Sequence, residues 1–542
     1  MPELFGLMQD TQLTVDHFLD HGATWHGDRE VVSREVDGTV TRTNWRGLRH
    51  TARQVSDALL AAGIARGDRV ATLGWNSARH LAAWYGATNI GAVLHTLNPR
   101  LFPEQISWIA AHAGDRLLFA DPACAALAAR LVRDVPTLEQ VVFLCARDAL
   151  PAVDFPAVAL DDWIAPHPGD APWGGFDERL ACGLCYTSGT TGDPKGVLYS
   201  HRSNYLHTMM TLQADALGLT ERETALLVVP MYHANAWGVV YAAPAAGAKL
   251  VLPGARMDGQ SLYELIEQEG VTFSAAVPTV WQGLLQYLRG TGQAFTTLHR
   301  VVIGGAAPPE ALIRAFQDDY GVEVVQGWGM TETSPLATLS SPTAGVLAQP
   351  YDDQVRRKAM QGRLQCGLAF RLIDDAGAVL PHDGETSGRL LIRGPTIASS
   401  YFREDTPVLD ADGFFDTGDV ATIDTAGYMR ITDRAKDIVK SGGEWISSIA
   451  IENLAAGHPT VALAAVIGVP HPKWDERPVL LVQPAPGQTP DRAELLAFLD
   501  GKIARWWMPD DVLVVDTIPL GATGKIDKKL LRRQMADYRL PD

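Results

Sequence analysis

The sequence predicts an α/β protein with a large N-terminal domain and a small C-terminal domain. Its 542 residues exceed what one hydrophobic core usually supports, so at least two domains are expected. Short β-type runs alternate with helix-length segments through the first part of the chain, which is typical of βαβ units. Beyond residue 437, a shorter segment carries strand and helix patterns of its own.

The first 180 residues contain a regular series of strand and helix patterns. Residues 69–75 predict a buried strand, residues 78–91 the helix that follows it, and residues 92–97 the next strand. Apolar runs near residues 117 and 141 predict two more strands. Because parallel neighbours need a helical crossover, this series indicates a mostly parallel sheet.

The same pattern resumes after residue 180. A strand over 181–188 leads into a glycine-rich loop, and a helix is predicted near 201–210. The further strands that we predict lie at 225–230, 249–253, 272–278, 300–305 and 322–328.

The character of the chain changes after about residue 365. Shorter β-type segments at 370–380, 388–394 and 413–431 carry D-A-G and T-A-G turns, which favour antiparallel hairpins. A charged segment at 433–437 marks the predicted domain boundary. We therefore expect one domain over 1–432 and a second over 438–542, the latter with a helical pattern over 491–507.

Composition excludes several classes of protein. The chain is 46% hydrophobic and carries a formal net charge of −17, so it resembles neither a disordered chain nor a nucleic-acid-binding protein. No apolar run is long enough for a membrane helix, and the first residues lack a secretory pattern. Five cysteines are too few to staple this chain, so we expect a cytoplasmic protein.

The strongest local motif is the glycine-rich loop YTSGTTGDPKGV at 186–197. Its three internal glycines allow close backbone approach to an anion, while its hydroxyl groups and Lys195 add donors and positive charge. A Walker A loop would need glycine before the lysine and serine or threonine after it, whereas Pro194 and Gly196 stand there. The loop therefore predicts a phosphate site of another kind.

This loop resembles the phosphate loop of the adenylate-forming superfamily, which includes acyl-CoA synthetases, nonribosomal adenylation domains and luciferases. Further segments resemble the other motifs of that superfamily in the same order. They are Gln326–Glu332 (adenine and magnesium), Asp416–Asp419 (ribose), Asp433–Asp437 (interdomain hinge) and Gly521–Lys525 (C-terminal catalytic loop). Five ordered motifs make the resemblance specific.

The resemblance implies both a fold and a reaction. The N-terminal domain is expected to contain βα-layered sheets plus a β-barrel-like subdomain. The α+β C-terminal domain is expected to be mobile, with Lys436 at the pivot of the hinge. The implied reaction joins a carboxylic acid to ATP as acyl-AMP, releases pyrophosphate, and then transfers the acyl group to CoA, with Mg²⁺ as the metal.

Residue roles follow from the matched motifs. Glu332 is expected to hold Mg²⁺, Thr331 to donate to the α-phosphate, and Asp419 with Arg434 to bind the ribose hydroxyls. Lys525 would bridge the carboxylate and phosphate oxygens during adenylation. The full set expected at ATP or AMP is Thr187, Ser188, Gly189, Thr190, Thr191, Lys195, Gly305, Ala306, Gln326, Gly327, Trp328, Gly329, Thr331, Asp419, Arg434 and Lys525.

Two further groups are expected at the acid and at CoA. The stretch 229–237 has no acidic residue to hold a substrate ammonium group, so a simple carboxylic acid fits better than an amino acid. By resemblance, Tyr232, His233 and Trp237 would line or gate the acyl site, with His233 beside the carboxylate. The thioester step is expected to use Lys440, Gly442, Gly443, Glu444 and Trp445. The basic cluster Lys525, Lys528, Lys529, Arg532 and Arg533 could contact CoA phosphates, but we interpret it as a solvated helix face.

The acid is predicted less sharply than the reaction. Segments at 98–106, 200–203, 433–448 and 471–478 are similar to those of bacterial medium- and long-chain fatty-acyl-CoA ligases, and equally to those of 3-methylmercaptopropionate-CoA ligases. We expect a medium- or long-chain fatty acid, with 3-methylmercaptopropionate or another short or aryl acid as the alternative. Tyr232 stands where Phe is usual, and Trp507 stands where Gln commonly follows Trp506.

Two other classes of protein stay open. One is a non-catalytic nucleotide- or acyl-CoA-binding homologue, against which the retained Glu332 and Lys525 argue. The other is an adenylation enzyme that serves a carrier protein, although the segment 440–445 favours free CoA. By analogy with related ligases, a homodimer is expected.

Overall fold

The computed structural model describes residues 4–187, 194–434, 436–442, 444–521 and 526–540, with residue 444 described by its backbone alone. The chain divides into two compact units. The first comprises Met1–Tyr186, Gly196–Ala214 and Gly218–Arg256, and the second comprises Thr187–Lys195, Asp215–Leu217 and Met257–Asp542. The domain boundaries proposed near 433–437 stay a prediction.

The first unit alternates strands and helices along the chain. Its helices are α1 (Asp16–Trp25), α2 (Trp45–Ala61), α3 (Ala78–Thr88), α4 (Pro103–Ala113), α5 (Ala125–Asp134), α6 (Leu160–Ile164), α7 (His201–Thr211) and α8 (Val239–Ala246). Its strands are β1 (Glu30–Arg34), β2 (Val40–Asn44), β3 (Arg69–Leu73), β4 (Val93–Leu97), β5 (Asp115–Ala120), β6 (Gln140–Phe143), β7 (Ala157–Ala159), β8 (Ala181–Tyr186), β9 (Gly196–Ser200), β10 (Thr224–Leu227) and β11 (Lys249–Leu252).

Two sheets organise this unit. The larger has the order β7-β6-β5-β3-β4-β8-β9, and every neighbouring pair is parallel except the hairpin β8–β9. In the other, β10, β11 and β1 are parallel neighbours, and β2 pairs antiparallel with β1. The mostly parallel sheet predicted from the sequence is confirmed. Strand β2 was missed because its sequence VTRTN is polar and largely exposed, so it lacks an apolar signal.

The core of the larger sheet forms where α4 and α5 cover it. Ile106 and Ile109 of α4 and Leu131 of α5 are at most 2% exposed and belong to one cluster with buried residues of β3 to β6. Pro103 begins α4, where its missing N–H costs nothing, and Gly114 ends it in a left-handed conformation. This packing fixes the carboxyl ends of β4 and β8. Strand β8 is the one that leads into the phosphate loop.

The buried histidines of this unit predict a pH-dependent stability. Burial lowers the pKa of His80 to about 4 and that of His201 to about 3, so both are neutral in the folded protein. Both bind protons more readily when unfolded, so the free energy of unfolding should fall as the pH drops below about 6.5. Chemical denaturation between pH 7 and pH 5, above most carboxylate titrations, measures this slope.

The variant His80→Asn provides the control for that slope. His80 Nδ1 lies 2.9 Å from the carbonyl oxygen of Trp75, and the amide nitrogen of asparagine can take over this hydrogen bond without becoming charged. The slope of unfolding free energy against pH should therefore be smaller in the variant. An unchanged slope would contradict the assignment to His80.

The second unit carries shorter elements. Its helices are α9 (Gly259–Glu269), α10 (Pro278–Thr291), α11 (Glu310–Arg314), α12 (Ala344–Leu347), α13 (Tyr351–Lys358), α14 (Ser448–Ala455), α15 (Arg492–Leu499) and α16 (Lys528–Gln534). Its strands are β12 (Phe273–Ala276), β13 (Arg300–Ile303), β14 (Glu323–Gly329), β15 (Leu336–Leu339), β16 (Arg363–Leu364), β17 (Ala369–Ile373), β18 (Gly388–Arg393), β19 (Phe415–Ile423), β20 (Met429–Arg434), β21 (Val439–Ser441), β22 (Glu444–Ile446), β23 (Val461–His471), β24 (Asp475–Pro484) and β25 (Asp511–Val514).

Three groups of strands shape this unit. Strands β12, β13 and β14 are parallel, and β15 and β16 continue that sheet antiparallel. Strands β17 to β20 form an antiparallel sheet in chain order, which confirms the predicted hairpins. The third sheet has the order β22-β21-β24-β23, with β25 parallel to β24.

The subdomain expected to resemble a β-barrel corresponds to the four-stranded antiparallel sheet β17 to β20. Buried Leu390 and Ile392 of β18 and Phe415 of β19 share one hydrophobic cluster with Trp328 and Ala337 from β14 and β15. The long β19–β20 hairpin therefore rests on the end of β14. This packing brings the predicted ribose and magnesium motifs together.

The segment 491–507, for which helices are predicted, forms one α-helix and one short turn. The α-helix ends at Leu499, because Asp500 is extended and Gly501 has a φ of 73°, and only a 3₁₀ turn at Arg505–Trp507 follows. Among the helices in the described ranges, none combines the length and the apolar character that crossing a bilayer requires.

Candidate active site

Two hydrogen bonds close the base of the glycine-rich loop. The Thr187 amide donates to the carbonyl oxygen of Lys195 at 2.9 Å, and the Lys195 amide donates to Thr187 Oγ1 at 3.1 Å. Lys195 is the basic residue of this loop, and its side chain is 49% exposed. Ser188, Gly189, Thr190 and Thr191 lie outside the described residues, so their assignment to phosphate stays a prediction.

The ammonium group of Lys195 is held from two sides. Its Nζ lies 3.6 Å from Glu404 Oε2 and 4.5 Å from the centre of the Tyr401 ring. An ammonium group over an aromatic face is attracted by the quadrupole of the ring. Tyr401 and Glu404 belong to one four-residue turn, in which the Glu404 amide donates to the carbonyl oxygen of Tyr401 at 3.2 Å.

Glu332 lies in a short 3₁₀ turn, Thr331–Thr333, directly after β14. A Cβ atom at Gly329, which ends β14, would lie 1.9 Å from the carbonyl oxygen of Pro335, so this sharp exit requires glycine. Glu332 is 6% exposed, and its Oε1 accepts a hydrogen bond from the Tyr401 hydroxyl at 2.7 Å. Burial raises the pKa of this carboxyl group, and the Tyr401 hydrogen bond and nearby Arg434 partly offset that effect.

The surroundings of Glu332 fit Mg²⁺ brought in with a nucleotide. Among the described residues, no group of three or more His, Cys, Asp or Glu side chains is placed to hold a metal. A single carboxylate suits Mg²⁺, because this ion commonly binds through one or two carboxylates and takes its remaining ligands from phosphates and water. A cation here would also stabilise the charged form of a carboxylate that burial disfavours.

The predicted ribose residues form a compact hydrogen-bonded group. Asp419 on β19 is 3% exposed, and its register partner on β20 is Arg434. Arg434 Nε lies 3.1 Å from Asp419 Oδ1, while Trp328 Nε1 donates to Oδ2 at 3.1 Å. Both oxygens of this carboxylate thus have a partner in the folded chain, and a carboxylate is the acceptor that ribose hydroxyl groups require.

Trp328 therefore supports Asp419 in this structure. It is 8% exposed, belongs to the hydrophobic cluster of the antiparallel sheet, and lies edge-on to Phe370. Gln326 is 1% exposed, and in its hydrogen-bonded orientation its amide nitrogen faces the carbonyl oxygens of Ala359 and Met360. Contacts of these two side chains with adenine stay a prediction.

The turn expected against adenine follows β13. Gly305 and Ala306 are exposed, and Gly305 has a φ of 78°, which favours glycine. Ile303 at the end of β13 pairs in register with Gln326 of β14, so this turn and the segment Gly327–Thr331 leave the same edge of the parallel strands. Ligands of such sheets bind outside the carboxyl ends of the strands, so this edge suits a nucleotide.

Buried polar contacts surround the predicted hinge. Asp433 is fully buried, and its Oδ2 accepts a hydrogen bond from the Ser448 amide at 2.6 Å. Lys528 pairs with Glu452 at 2.7 Å, and the side chains of both are at most 12% exposed. Lys528 is therefore not part of a solvated helix face, which corrects that interpretation. Lys525 lies outside the described residues, and its catalytic role stays a prediction.

Lys436, at the predicted pivot, is exposed. Partial desolvation lowers its pKa, nearby Asp437 opposes this, and the cations Arg434 and Arg532 lower it further. Asp437 in turn pairs with Arg532 of α16 at 2.8 Å. The last residue of the predicted hinge is thus tied to the C-terminal helix, whereas rotation about Lys436 stays a prediction.

The segment expected at the thioester step is the hairpin β21–β22. Lys440 and Trp445 are register partners, and the Lys440 amide donates to Glu476 Oε2 at 3.1 Å. Gly442 has a φ of 59°, and a Cβ atom there would lie 3.0 Å from the Trp474 ring. The positive φ and the packing of the hairpin against Trp474, which lies between β23 and β24, thus explain this glycine. Gly443 and the side chain of Glu444 lie outside the described part, so their contacts with CoA stay predictions.

The predicted acyl-site residues belong to the first unit. Tyr232 is 2% exposed, and its hydroxyl group has no hydrogen-bond partner among the described residues. Burial raises the pKa of Tyr232 to about 12, so the group is neutral and can donate. The rings of Tyr232 and His233 lie 4.9 Å apart, and that of Trp75 lies 6.0 Å from Tyr232.

Trp237 lies in a strained segment of backbone. Asn235, Ala236 and Trp237 have φ values of 48°, 46° and 55°, and Gly238 follows at 83°. Consecutive left-handed non-glycine residues are rare, since each costs about 1 kcal/mol or more. Such strain is concentrated at functional sites, which agrees with the predicted gate at Trp237 without testing it.

Tyr401 and Glu404 could not be identified as site residues from the sequence. Neither belongs to a motif with a recognisable spacing, and the segment around them, SSYFRED, looks like an ordinary polar loop. One backbone feature marks the turn, because Arg403 has a φ of 60° where glycine would be common. Only the folded chain shows that this turn reaches both Glu332 and Lys195.

Comparison with known proteins agrees with this geometry. The family model described as AMP-binding enzyme matches residues 19–402, and that of the AMP-binding enzyme C-terminal domain matches residues 450–525. The chain is 48% identical to a 3-methylmercaptopropionyl-CoA ligase of Ruegeria pomeroyi, over 98% of this chain and 99% of that protein. It is 44% identical to a medium-chain-fatty-acid–CoA ligase of Ectopseudomonas oleovorans, over 99% and 98%.

A solved structure gives the same result at the level of the fold. The anthranilate CoA ligase AuaEII, in complex with anthranoyl-AMP, superposes with a TM-score of 0.85 at 25% identity. The match covers 97% of this chain and 99% of that one. With its nucleotide-site motifs in order and both family models matched, the chain belongs to the AMP-binding enzyme family.

Proposed function

We propose that this chain is a two-step acid–CoA ligase in which Glu332, Lys195 and the Asp419–Arg434 pair hold ATP. As a member of its family it is an acid–thiol ligase that uses ATP, Mg²⁺ and CoA. One observation carries the proposed site, namely that a single turn reaches both the buried carboxylate and the loop lysine.

The first step makes acyl-AMP. A carboxylate oxygen of the acid attacks the α-phosphorus of ATP, and the bond to the bridging oxygen breaks to release pyrophosphate. Lys195 and Lys525 would supply positive charge where negative charge develops, and Thr331 would donate to the α-phosphate. The role proposed for His233 is at the carboxylate of the acid. Asp419 with Arg434 orients the ribose. Glu332 would hold Mg²⁺, which when bound would neutralise charge on the phosphate oxygens.

The second step makes the thioester. The sulfur of CoA attacks the acyl carbon, and the bond to the phosphate oxygen breaks to release AMP. Before this, rotation about Lys436 would withdraw Lys525 and bring the hairpin Lys440–Trp445 to the acyl group. The exposed edge at Lys440 and Gly442 would flank the pantetheine arm. AMP leaves readily because its phosphate is a stabilised anion.

The acid that we favour is an unbranched aliphatic acid with a heteroatom in its chain, such as 3-methylmercaptopropionate. The buried hydroxyl of Tyr232 lacks a partner among the described residues, and an acceptor in the substrate would satisfy it. The identity of 48% with a 3-methylmercaptopropionyl-CoA ligase agrees with this choice. A medium- or long-chain fatty acid, which is the acid predicted first from the sequence, is the second candidate, and the 44% identity with a medium-chain-fatty-acid–CoA ligase supports it.

Substitution of Tyr232 by Phe tests this choice of acid. Pentanoate has a methylene group where 3-methylmercaptopropionate has sulfur, so the pair isolates the effect of the heteroatom. The wild type should favour the thioether acid in kcat/KM, and Tyr232→Phe should lower that preference about fivefold, the worth of roughly 1 kcal/mol of hydrogen bonding. A preference that is unchanged by the substitution would contradict the role of Tyr232.

Initial rates across acids test the proposed class of enzyme. CoA-dependent AMP release should be measured from propionate to palmitate, including aromatic and thioether acids. A carrier-dependent adenylation enzyme would release pyrophosphate without using CoA, and a non-catalytic homologue would not consume ATP.

We further infer a homodimer in the cytoplasm, by analogy with related ligases, and light scattering after gel filtration tests its mass.

A further inference from the structure

The turn Tyr401–Glu404 joins two parts of the proposed nucleotide site. The Tyr401 hydroxyl donates to Glu332 Oε1 at 2.7 Å, and the same ring lies 4.5 Å beneath Lys195 Nζ. One side chain therefore contacts both the proposed metal carboxylate and the lysine of the phosphate loop. The left-handed conformation of Arg403 holds this turn in a shape that few non-glycine residues adopt.

The hydrogen bond to Glu332 directs the carboxylate. Because Oε1 is engaged by Tyr401, the direction of Oε2 is fixed relative to the turn. The donor also offsets part of the cost of keeping a charge on a side chain that is 6% exposed. Without the Tyr401 hydroxyl, the carboxylate could rotate, and its alignment with an incoming metal–nucleotide complex would be lost.

The contact with Glu404 is of another kind. Lys195 and Glu404 are 49% and 35% exposed, and their charged atoms are 3.6 Å apart. Pairs with such exposure contribute little free energy, since solvent screens them. A triphosphate carries more negative charge than one carboxylate and would displace Glu404 from the ammonium group.

We propose that Tyr401 is a positioning residue that aligns Glu332 and Lys195 for ATP, and that Glu404 is the counter-ion that Lys195 exchanges for the triphosphate. This inference rests on the proposed function. Tyr401 contributes alignment and Glu404 competes, so their removal should have opposite effects on ATP affinity. A loss of ATP affinity in one variant and a gain in the other would distinguish these roles from a simple loss of structure in the turn.

The test is ATP binding by isothermal titration calorimetry without acid or CoA, with and without Mg²⁺, supported by KM and kcat for ATP. Tyr401→Phe should raise the Kd for ATP about tenfold in the presence of Mg²⁺ and have less effect without it. Glu404→Gln should lower the Kd about threefold under both conditions. In a Lys195→Met background, Glu404→Gln should have no effect.

Matched controls are available in the same unit. Tyr428 also lies beneath a cation, Arg357, and donates its hydroxyl to a main-chain carbonyl, so Tyr428→Phe removes a comparable group. Glu323 pairs with Arg300 and is also 35% exposed, so Glu323→Gln matches the other change. Neither control should alter ATP binding by more than a factor of two.

The outcomes separate this inference from the proposed function. If the wild type binds ATP but Tyr401→Phe binds equally well, or if Glu404→Gln weakens binding, the roles assigned to the turn are wrong. An effect of Glu404→Gln that persists without Lys195 would also overturn the exchange. Failure of the wild-type protein to bind ATP at all would instead overturn the proposed function.

Discussion

Replacement of Lys525 by alanine is expected to slow the formation of acyl-AMP by about 100- to 1,000-fold, the range found when one charge-stabilising donor is removed from an active site. The proposed role of this lysine is confined to the first step, where negative charge develops between the acid and the α-phosphate. Once acyl-AMP has formed, this transition-state charge no longer needs to be stabilised. Thioester formation from supplied acyl-AMP should therefore keep nearly its normal rate.

Two assays resolve these steps. Acid-dependent exchange of labelled pyrophosphate into ATP reports adenylation, and the conversion of synthetic acyl-AMP and CoA to acyl-CoA reports the thioester step. Lys529→Ala is the matched control, because this exposed lysine lies in the same terminal segment and has no assigned role. Equal loss in both assays would refute the assignment of Lys525 to adenylation.

The substitution Glu332→Gln is expected to reduce Mg²⁺-supported adenylation by about 100-fold or more. Glutamine keeps the size of the side chain and an oxygen that can accept the Tyr401 hydrogen bond, but it loses the charge needed for the metal. Burial raises the pKa of Glu332, so its charge destabilises the protein without ligand. The melting temperature of the variant should therefore be unchanged or higher.

A loss of adenylation without a loss of thermal stability would identify Glu332 as the residue that holds the metal. Glu269 is a suitable control, because it is 8% exposed, close to the 6% of Glu332, and has no assigned role. Glu269→Gln should leave the Mg²⁺ dependence of adenylation unchanged. Normal adenylation by Glu332→Gln at low Mg²⁺ would show that another group holds the metal.

Much of the fold could be predicted because apolar runs carry the signal. The strand patterns at 69–75 and 92–97 and the helix between them correspond to β3, β4 and α3, with ends displaced by a few residues. A strand that is polar and largely exposed lacks such a run, so the edge strand β2 could not be predicted. The helical segment 491–507 is interrupted for another reason, since a conformational break at Gly501 outweighs the helical pattern on either side.

Sequence motifs predicted a set of site residues, which stays a prediction, but they could not predict the contacts among those residues. Trp328 and Asp419 come from motifs about 90 positions apart, and their hydrogen bond exists because the β19–β20 hairpin packs on the end of β14. A sequence motif cannot say whether an indole faces a nucleotide or a neighbouring carboxylate. For the same reason Lys528, in a run of basic residues, was not recognised as the buried partner of Glu452.

Isotope exchange tests the central claim most directly, because only a reversible acyl-AMP step links a free acid to pyrophosphate without CoA. Purified protein with ATP, Mg²⁺, labelled pyrophosphate and 3-methylmercaptopropionate or a medium-chain fatty acid should form labelled ATP. Addition of CoA should then yield AMP and acyl-CoA in equal amounts. Formation of ADP and phosphate, or no acid-dependent exchange with any acid, would contradict the account.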